Sequence, residues 1–360
     1  WRSREAFSTD LTSLETAPLH ATAQNTTSMH SFQTRGSGSV WKQGSWDLQV
    51  GWDVNHQTFA SKRMESGTKS ITDAALFTQA QWESDNIKWK FGLRKAYNSR
   101  FGAPFLPSAL GLWKNGAQRM RLSYAKGFRA PSLKELYFRF VDINHSLYGN
   151  ENLAPETSHF GQLDWSWAQE KFEVSSQLFT NFIQDQIGLI DQQDGTFRYQ
   201  NFAQFQAQGI KVNADFRSDR WIIGGASSVL NSQQKADATS AAFPRFTSLE
   251  CSSRIEWKAH TTFTMGASLR WIGPTQRVVS SNFESIQQQQ TDAYSWLDAH
   301  VQWKSPSQRW QVTATAKNLT NVTSIASLAN NAAHASSSTL LSWGRSFNLR
   351  LNYRIESRRK

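Results

Sequence analysis

Apolar and polar residues alternate strictly along several long stretches of this chain. Residues 347–355 run Phe-Asn-Leu-Arg-Leu-Asn-Tyr-Arg-Ile, and the same period of two recurs at 46–54, 263–271 and 310–317. Because successive side chains of a strand point to opposite sides of a sheet, each stretch predicts a strand with one apolar and one polar face. No comparable stretch has the 3.6-residue period of a helix, so the chain is predicted to be all-β.

Both a soluble sandwich and a membrane barrel bury one face of each strand, and three features favour the barrel. The alternating segments run for about nine to eleven residues, the length that crosses a bilayer when tilted, whereas ordinary strands have about five or six. The other face is polar and often charged, as in a water-lined lumen. Aromatic residues recur at segment ends, where a membrane barrel has its girdles; they include Trp46, Trp165, Trp167, Trp257, Trp271, Trp303, Trp310 and Tyr353. The predicted fold is a transmembrane antiparallel β-barrel.

Connections between the predicted strands alternate between short and long. Asn115-Gly116, in one of the short connections, is the strongest hairpin signal. Bacterial barrels have short periplasmic turns and longer extracellular loops, so we expect the long connections outside. Residues 37–355 predict about fifteen strands, an odd number where bacterial barrels have an even one. We therefore expect another strand within 1–36 or upstream, with 1–36 otherwise an irregular extracellular loop or incomplete strand and 356–360 a polar tail.

Charge and composition exclude several classes of protein. The 360 residues include 39 Lys and Arg against 28 Asp and Glu, a net charge of +11. These cations are scattered singly and no nucleic-acid-binding module is present, so we expect no nucleic-acid partner. A diffuse positive surface is compatible with anionic lipid or lipopolysaccharide. No window of about 18 apolar residues predicts a membrane helix, and the lone Cys251 leaves the redox compartment undetermined.

Two short boxes interrupt the alternation. Residues 127–132 are Gly-Phe-Arg-Ala-Pro-Ser, and residues 149–156 are Gly-Asn-Glu-Asn-Leu-Ala-Pro-Glu. Together with 122–126, these boxes resemble those of TonB-dependent outer-membrane receptors. Further segments at 199–202, 208–211, 316–321 and 344–349 resemble later strands of that family, so the resemblance covers most of 73–355.

The resemblance implies a barrel of about 22 strands with a plugged lumen. Since no segment resembles the plug or the periplasmic TonB-binding box, the chain is expected to be the C-terminal part of such a barrel. The implied location is the bacterial outer membrane, and the implied function is import of a metal chelate, haem or a ferric siderophore, without covalent chemistry. Implied partners are that chelate, outer-membrane lipid and lipopolysaccharide, and the TonB complex in the intact protein.

Within the resembled family, haem receptors carry similar boxes on either side of a loop histidine that is an axial iron ligand. Here His145 lies between the boxes, although Glu151 replaces the family's proline. Neutral imidazole is a good iron ligand, and the alternative is a loop histidine bonded to its neighbours. No intrinsic cofactor is expected, and haem or a ferric chelate is the expected cargo. The candidate ligand-binding residues are His145, Arg129, Tyr137 and Tyr148, and the candidate loop anchors are Phe128, Arg129, Ala130, Pro131, Asn150, Asn152 and Leu153.

Other interpretations remain open at this point. Arg129 could serve structure by pairing with Glu135 or a lumen carboxylate, and we favour this over ligand contact. The boxes also occur in cobalamin receptors, which makes cobalamin an alternative cargo. A barrel hydrolase could use polar-face residues, namely Asp164, Asp215, Asp298 and His300, but no nucleophile elbow is present. A passive porin would share the alternation without the boxes.

Overall fold

The structure is a computed structural model that describes residues 2–5, 25–61, 64, 67–141, 146–192, 196–236, 239, 242–280, 286–326, 338–340 and 342–355. One short helix, α1, spans Leu133–Tyr137. The strands in chain order are β1 Arg2–Glu5, β2 Asn25–Gln43, β3 Trp46–Ser61, β4 Thr68–Glu83, β5 Ile87–Asn98, β6 Phe105–Asn115, β7 Gln118–Arg129, β8 Arg139–Val141, β9 Ser146–Tyr148, β10 Glu156–Gln169, β11 Phe172–Asp191, β12 Thr196–Arg217, β13 Trp221–Lys235, β14 Phe246–His260, β15 Phe263–Ile272, β16 Thr275–Ser280, β17 Ile286–Thr291, β18 Tyr294–Lys304, β19 Trp310–Lys317, β20 Ser324–Ala326, β21 Ser338–Leu340 and β22 Ser346–Tyr353. Within these residues no helix has both the length and the apolar character needed to cross a membrane.

Fifteen long strands form one antiparallel wall, in agreement with the number predicted from the alternation. We call β2–β7, β10–β15, β18, β19 and β22 the wall strands. Each pairs with the next wall strand along the chain, so that β7 pairs with β10, β15 with β18 and β19 with β22 across their connections. Among the described residues β22 pairs with β19, and β2 pairs with β1 and β3, which leaves the sheet with two ends.

Short and longer connections alternate along the wall, as predicted. Tight turns follow β2, β4, β6, β10, β12, β14 and β18. At the predicted hairpin, Asn115 pairs with Gln118, and Gly116 has a φ of 52°, which glycine adopts without steric cost. We call this edge of the wall the turn end and the opposite edge the loop end.

Most wall strands are longer than the nine to eleven residues predicted, although β19 and β22 have eight each. β11 has 20 residues and β12 has 22. Their loop-end halves stay in register, from Gln184 opposite Gln204 to Asp191 opposite Phe197. Alternation predicts only the portion with an apolar face, whereas backbone pairing continues beyond it because each N–H and C=O still needs a partner.

The region 1–36, in which a further strand was expected, contains two strand segments. β1 and the first part of β2 lie within it, and β1 pairs with β2 as an additional strand before the wall. The segment 25–36 pairs with β3 and is polar except at Met29 and Phe32, so no apolar alternation marks it. The polar tail predicted at 356–360 lies outside the described residues.

The strand register gives the wall one apolar and one polar face. Val312 lies opposite Leu351 on the apolar face, and Thr313 lies opposite Arg350 on the polar face. Directly opposite residues of antiparallel strands share a face, so the assignment extends from strand to strand.

The predicted aromatic girdle is present at the turn end, except that Trp271 lies at the loop end of β15. Trp221 stacks on Trp257 with ring centroids 5.6 Å apart, and Trp310 lies 4.5 Å from Tyr353. The row on the apolar face comprises Trp46, Trp82, Trp89, Trp113, Phe172, Phe216, Trp221, Trp257, Phe263, Trp303, Trp310 and Tyr353. Such belts mark the membrane–water boundary of transmembrane barrels.

Candidate functional site

The polar face becomes apolar at the loop ends of two pairs of wall strands, β3 with β4 and β11 with β12. Asp53 and Phe59 share one face of β3, but only Phe59, nearer the loop end, is apolar. The described parts of the next long connection, 130–141 and 146–155, pack over this area. The resulting apolar core, which we call the loop cluster, consists of buried Met64, Ile71, Leu133, Leu136, Tyr137 and Leu153 with half-buried Phe59, Phe101, Ile187 and Tyr199 against it. The described parts of this connection are therefore packed on the wall.

The first box places α1 by capping its N-terminus. The Ser132 hydroxyl accepts a hydrogen bond from the Glu135 N–H at 3.2 Å, and the Ser132 N–H donates to the Glu135 carboxylate at 2.7 Å. This reciprocal pair satisfies two N–H groups that a helix start leaves unbonded. Pro131 is fully buried before the cap, and Leu136 is only 1% exposed.

Arg129 joins the two boxes through two carboxylates. Its guanidinium donates to Glu156 at 2.9 and 2.6 Å and to Glu135 at 2.9 and 3.0 Å. Glu156 also accepts the Ile187 N–H at 2.7 Å, so it fixes β7, β10 and β11 together. These groups lie beyond the apolar part of the wall. The hydrogen bonds from Arg129 to Glu156, and to a smaller extent those to Glu135, raise the pKa of Arg129 above its ordinary value. The structural role predicted for Arg129 is therefore present.

The second box attaches to α1 and to β12. Gly149 donates its N–H to the Phe138 carbonyl at 2.6 Å, and a Cβ at Gly149 would approach the Leu136 carbonyl carbon and oxygen to 2.7 Å. The Asn150 side-chain amide donates to the Tyr199 carbonyl at 3.0 Å. The Asn201 side chain bonds both the N–H and the carbonyl of Ala154. Only glycine fits the close backbone approach, which explains its place at the start of the box.

The remaining predicted anchors make fewer contacts. Leu153 is 2% exposed in the loop cluster, whereas Asn152 is exposed and donates its N–H to the Asn150 side chain at 3.0 Å. Phe128 lies opposite Thr157 on the apolar face, away from the loop cluster, and Ala130 is half-buried.

The candidate ligand-binding residues have different surroundings. Tyr137 is 4% exposed, and the Lys69 ammonium and Arg100 guanidinium lie 4.5 and 5.1 Å from its ring centroid. Tyr148 is half-buried, with the guanidinium groups of Arg139 and Arg198 at 5.8 and 6.0 Å. His145 lies outside the described residues. Ligand contact by His145, Arg129, Tyr137 or Tyr148 stays a prediction.

The carboxylates considered for a hydrolase are all engaged. Asp164 pairs with Arg121 at 2.8 Å, Asp215 pairs with Arg254 at 2.5 Å, and Asp298 accepts the Asn318 N–H at 2.7 Å. The Nε2 atom of His300 lies 4.0 Å from the Oε2 atom of Glu256. Among the described side chains, no group of three or more His, Cys, Asp or Glu could hold a metal ion.

Four further residues position this site and were not predicted to do so, namely Glu156, Gly149, Asn201 and Tyr199. Glu156 is the last residue of the second box, and its wall position opposite Arg129 follows from extending the alternation of β7 and β10 by a few residues. An available signal was the change from polar to apolar residues on the polar face near the strand ends. Asn201 had no such signal, because its partner Ala154 is 47 residues away in sequence.

An antiparallel wall with an aromatic belt, one apolar face and a packed connection at one end defines an outer-membrane type of β-barrel. The family model for the TonB-dependent receptor-like β-barrel matches residues 3–319. The chain belongs to the TonB-dependent receptor family.

Individual relatives agree with this assignment. Hemoglobin-binding protein A of Haemophilus influenzae is 23% identical over 278 residues, which cover 72% of this chain and 24% of that protein. The siderophore receptor PirA from Pseudomonas aeruginosa has a TM-score of 0.65 at 15% identity, covering 91% of this chain and 55% of the receptor chain. The FrpB iron transporter from Neisseria meningitidis has a TM-score of 0.69 at 13% identity, with coverages of 91% and 55%. The chain therefore spans about a quarter of that curated relative and about half of these solved receptors.

Proposed function

We propose that the protein containing this chain is a bacterial outer-membrane receptor that imports an iron chelate, either haem or a ferric siderophore. The wall would span the membrane with its loop end outside. Ligand capture would occur at that end, and the TonB complex would drive passage through the lumen. No covalent chemistry is required of the chain in this function.

The observation that carries this proposal is the basic and aromatic group on the loop cluster. Lys69 and Arg100 lie over Tyr137 at the loop end of the polar face, which would line the mouth of the barrel. Haem carries carboxylates and ferric siderophore complexes are commonly anionic, so cations held against an aromatic ring suit either cargo. The loop cluster presents these cations from a rigid base, which lowers the entropy lost on binding.

The relatives support the same class of cargo. Hemoglobin-binding protein A is named for a haem protein, and PirA is named as a siderophore receptor. Both names concern iron acquisition, and neither distinguishes haem from a siderophore for this chain.

A binding experiment with the purified protein in detergent tests the proposal. Haemin, a ferric catecholate complex and cyanocobalamin are titrated separately, with quenching of tryptophan fluorescence as the measurement. We expect one of the iron chelates to bind, and Lys69→Gln with Arg100→Gln to weaken that binding about tenfold or more, since a hydrogen bond to a charged group contributes about 1.5–3 kcal/mol. The matched control is Lys90→Gln with Lys211→Gln, which removes the same charge from the polar face of β5 and β12.

The same experiment separates the alternatives. If haemin binds, His145→Ala should change the Soret spectrum and weaken binding; an unchanged spectrum and affinity would exclude the axial-ligand role. Binding of cyanocobalamin alone would make the protein a cobalamin receptor. Hydrolysis of added peptide or phospholipid by the purified protein would overturn the assignment as a receptor without enzymatic activity.

A further inference from the structure

Charged side chains divide unequally between the two faces of the wall. At the paired positions of the described wall strands, every Asp and Glu lies on the polar face. The apolar face carries cations at four paired positions, namely Lys95, Lys126, Arg198 and Lys235. All four lie toward the loop end, so the outward face of the wall is basic at that end alone.

Two of these lysines lie near the loop end of their strands, among aromatic residues. On the apolar face of β5, Lys95 comes after Phe91 and Leu93 and before Tyr97. On β7, Lys126 lies between Tyr124 and Phe128. Aromatic belts mark the level where the hydrocarbon of a bilayer gives way to headgroups, so both lysines lie at that level.

Neighbouring side chains complete a compact group around these lysines. The Lys95 ammonium lies 4.7 Å from the Phe105 ring centroid and donates to the Ala103 carbonyl at 3.1 Å. Lys126 lies opposite His159, whose Nδ1 is 2.7 Å from the Tyr124 hydroxyl. We call Lys95, Lys126, Tyr124 and His159 the headgroup patch.

Strand geometry sets the spacing within the patch. β6 separates β5 from β7, so the two lysine backbones are about 10 Å apart across the strands and about 7 Å along them. Since each lysine side chain is long and flexible, the two ammonium groups can reach one phosphate together or two phosphates of one headgroup.

We propose that the headgroup patch binds the phosphate groups of lipopolysaccharide in the outer leaflet. This rests on the proposed outer-membrane location with the loop end outside. Phosphate oxygens are strong acceptors for ammonium and phenol donors, and a carboxylate-free face imposes no repulsion on an anion. At the turn end of the same face, the described positions carry aromatic residues and no Lys or Arg. Cations at the loop end alone favour a lipid of the outer leaflet over phospholipids, which occur in either leaflet.

Lipid retention by the purified protein tests this proposal. The protein is extracted from cells in detergent, separated from free lipopolysaccharide, and the bound lipid is quantified by mass spectrometry and phosphate analysis. We expect Lys95→Glu with Lys126→Glu to lower retained lipopolysaccharide about tenfold or more relative to the unmodified protein. Lys95→Arg with Lys126→Arg should retain it. Lys90→Glu with Lys211→Glu reverses the same charge on the polar face and should also retain it.

The outcomes are distinct from those of the receptor proposal. Equal retention by the Lys95→Glu, Lys126→Glu variant and the unmodified protein would overturn the lipid site, as would equal retention of added lipopolysaccharide whose phosphates have been removed. Preferential loss of phosphatidylethanolamine would assign the patch to phospholipid and overturn the proposal as well. Circular dichroism and chelate titration on the same variants show whether the barrel is folded, and failure of chelate binding in all of them would affect only the receptor function.

Discussion

In the loop cluster, Leu136 and Leu153 are 1% and 2% exposed, whereas on the wall Leu349 and Leu76 are 76% and 71% exposed. The same residue type is thus buried by protein in one region and left for lipid in the other. The loop cluster has a core of the kind found in soluble proteins, built from a helix and strand ends, with an arginine–glutamate network beside it. The wall has backbone ladders, with its apolar side chains directed outward.

This difference means that the two regions respond to different solvents. Burial from water stabilises the loop cluster through the hydrophobic effect. A lipid-facing side chain of the wall gains little from neighbouring protein because lipid tails are as apolar as leucine. Substitutions in the loop cluster should therefore change its stability while the wall keeps its own.

The largest expected effect comes from truncating the most buried leucine. Leu136→Ala should lower the free energy of local unfolding of the loop cluster by about 2–5 kcal/mol, because it removes apolar contacts and leaves a cavity. Amide hydrogen exchange of the protein in detergent measures this at α1 and at 149–153. The matched control, Leu349→Ala, removes the same atoms from the lipid-facing side of β22 and should leave exchange of the loop cluster unchanged. Equal loss of protection in both variants would remove the distinction between the regions.

Much of the wall could be predicted from the sequence because strand alternation is a local property. Alternate residues of a strand lie on opposite faces, so the number of long strands, the tight turns and the aromatic row could be predicted. The loop-end halves of β11 and β12 were not apparent from alternation, since residues there are mostly polar on one face and mixed on the other. Backbone pairing rather than side-chain pattern keeps them in the sheet.

The candidate site was only partly predictable. The boxes identified Arg129, Pro131, Asn150 and Leu153 as a group. They did not identify the residues of other strands that contact this group. The same holds for ion pairs that cross a whole strand. Asp215 on β12 reaches Arg254 on β14 over Gly224, where a Cβ would approach the Asp215 carboxylate to 2.6 Å. Such contacts depend on the register between strands, which alternation alone does not provide.

A smaller effect is expected from adding one methyl group at a close approach in each region. Gly149→Ala places its Cβ against the Leu136 backbone at 2.7 Å, which should cost the loop cluster about 1–3 kcal/mol by overpacking. Gly266→Ala on the wall meets the His300 ring, and a side chain can rotate away. Hydrogen exchange at α1 should therefore increase in Gly149→Ala and remain unchanged in Gly266→Ala. Unchanged exchange in Gly149→Ala would show that the second box can separate from α1 without loss.

The smallest of these effects comes from the carboxylates that pair with arginine in each region. Glu156 is 14% exposed and also accepts the Ile187 N–H, so Glu156→Gln should lower loop-cluster stability by about 1 kcal/mol through a weaker charged hydrogen bond. Arg129, which is 44% exposed, keeps Glu135 and contact with water, and this limits the loss. On the wall, Glu250 and Arg270 are 41% and 58% exposed, so Glu250→Gln should change stability by less than about 1 kcal/mol. Urea titration of amide exchange checks the order, measured at the loop cluster for Glu156→Gln and at β14 and β15 for Glu250→Gln. A larger loss for Glu250→Gln would mean that the wall depends on its ion pairs more than the loop cluster does.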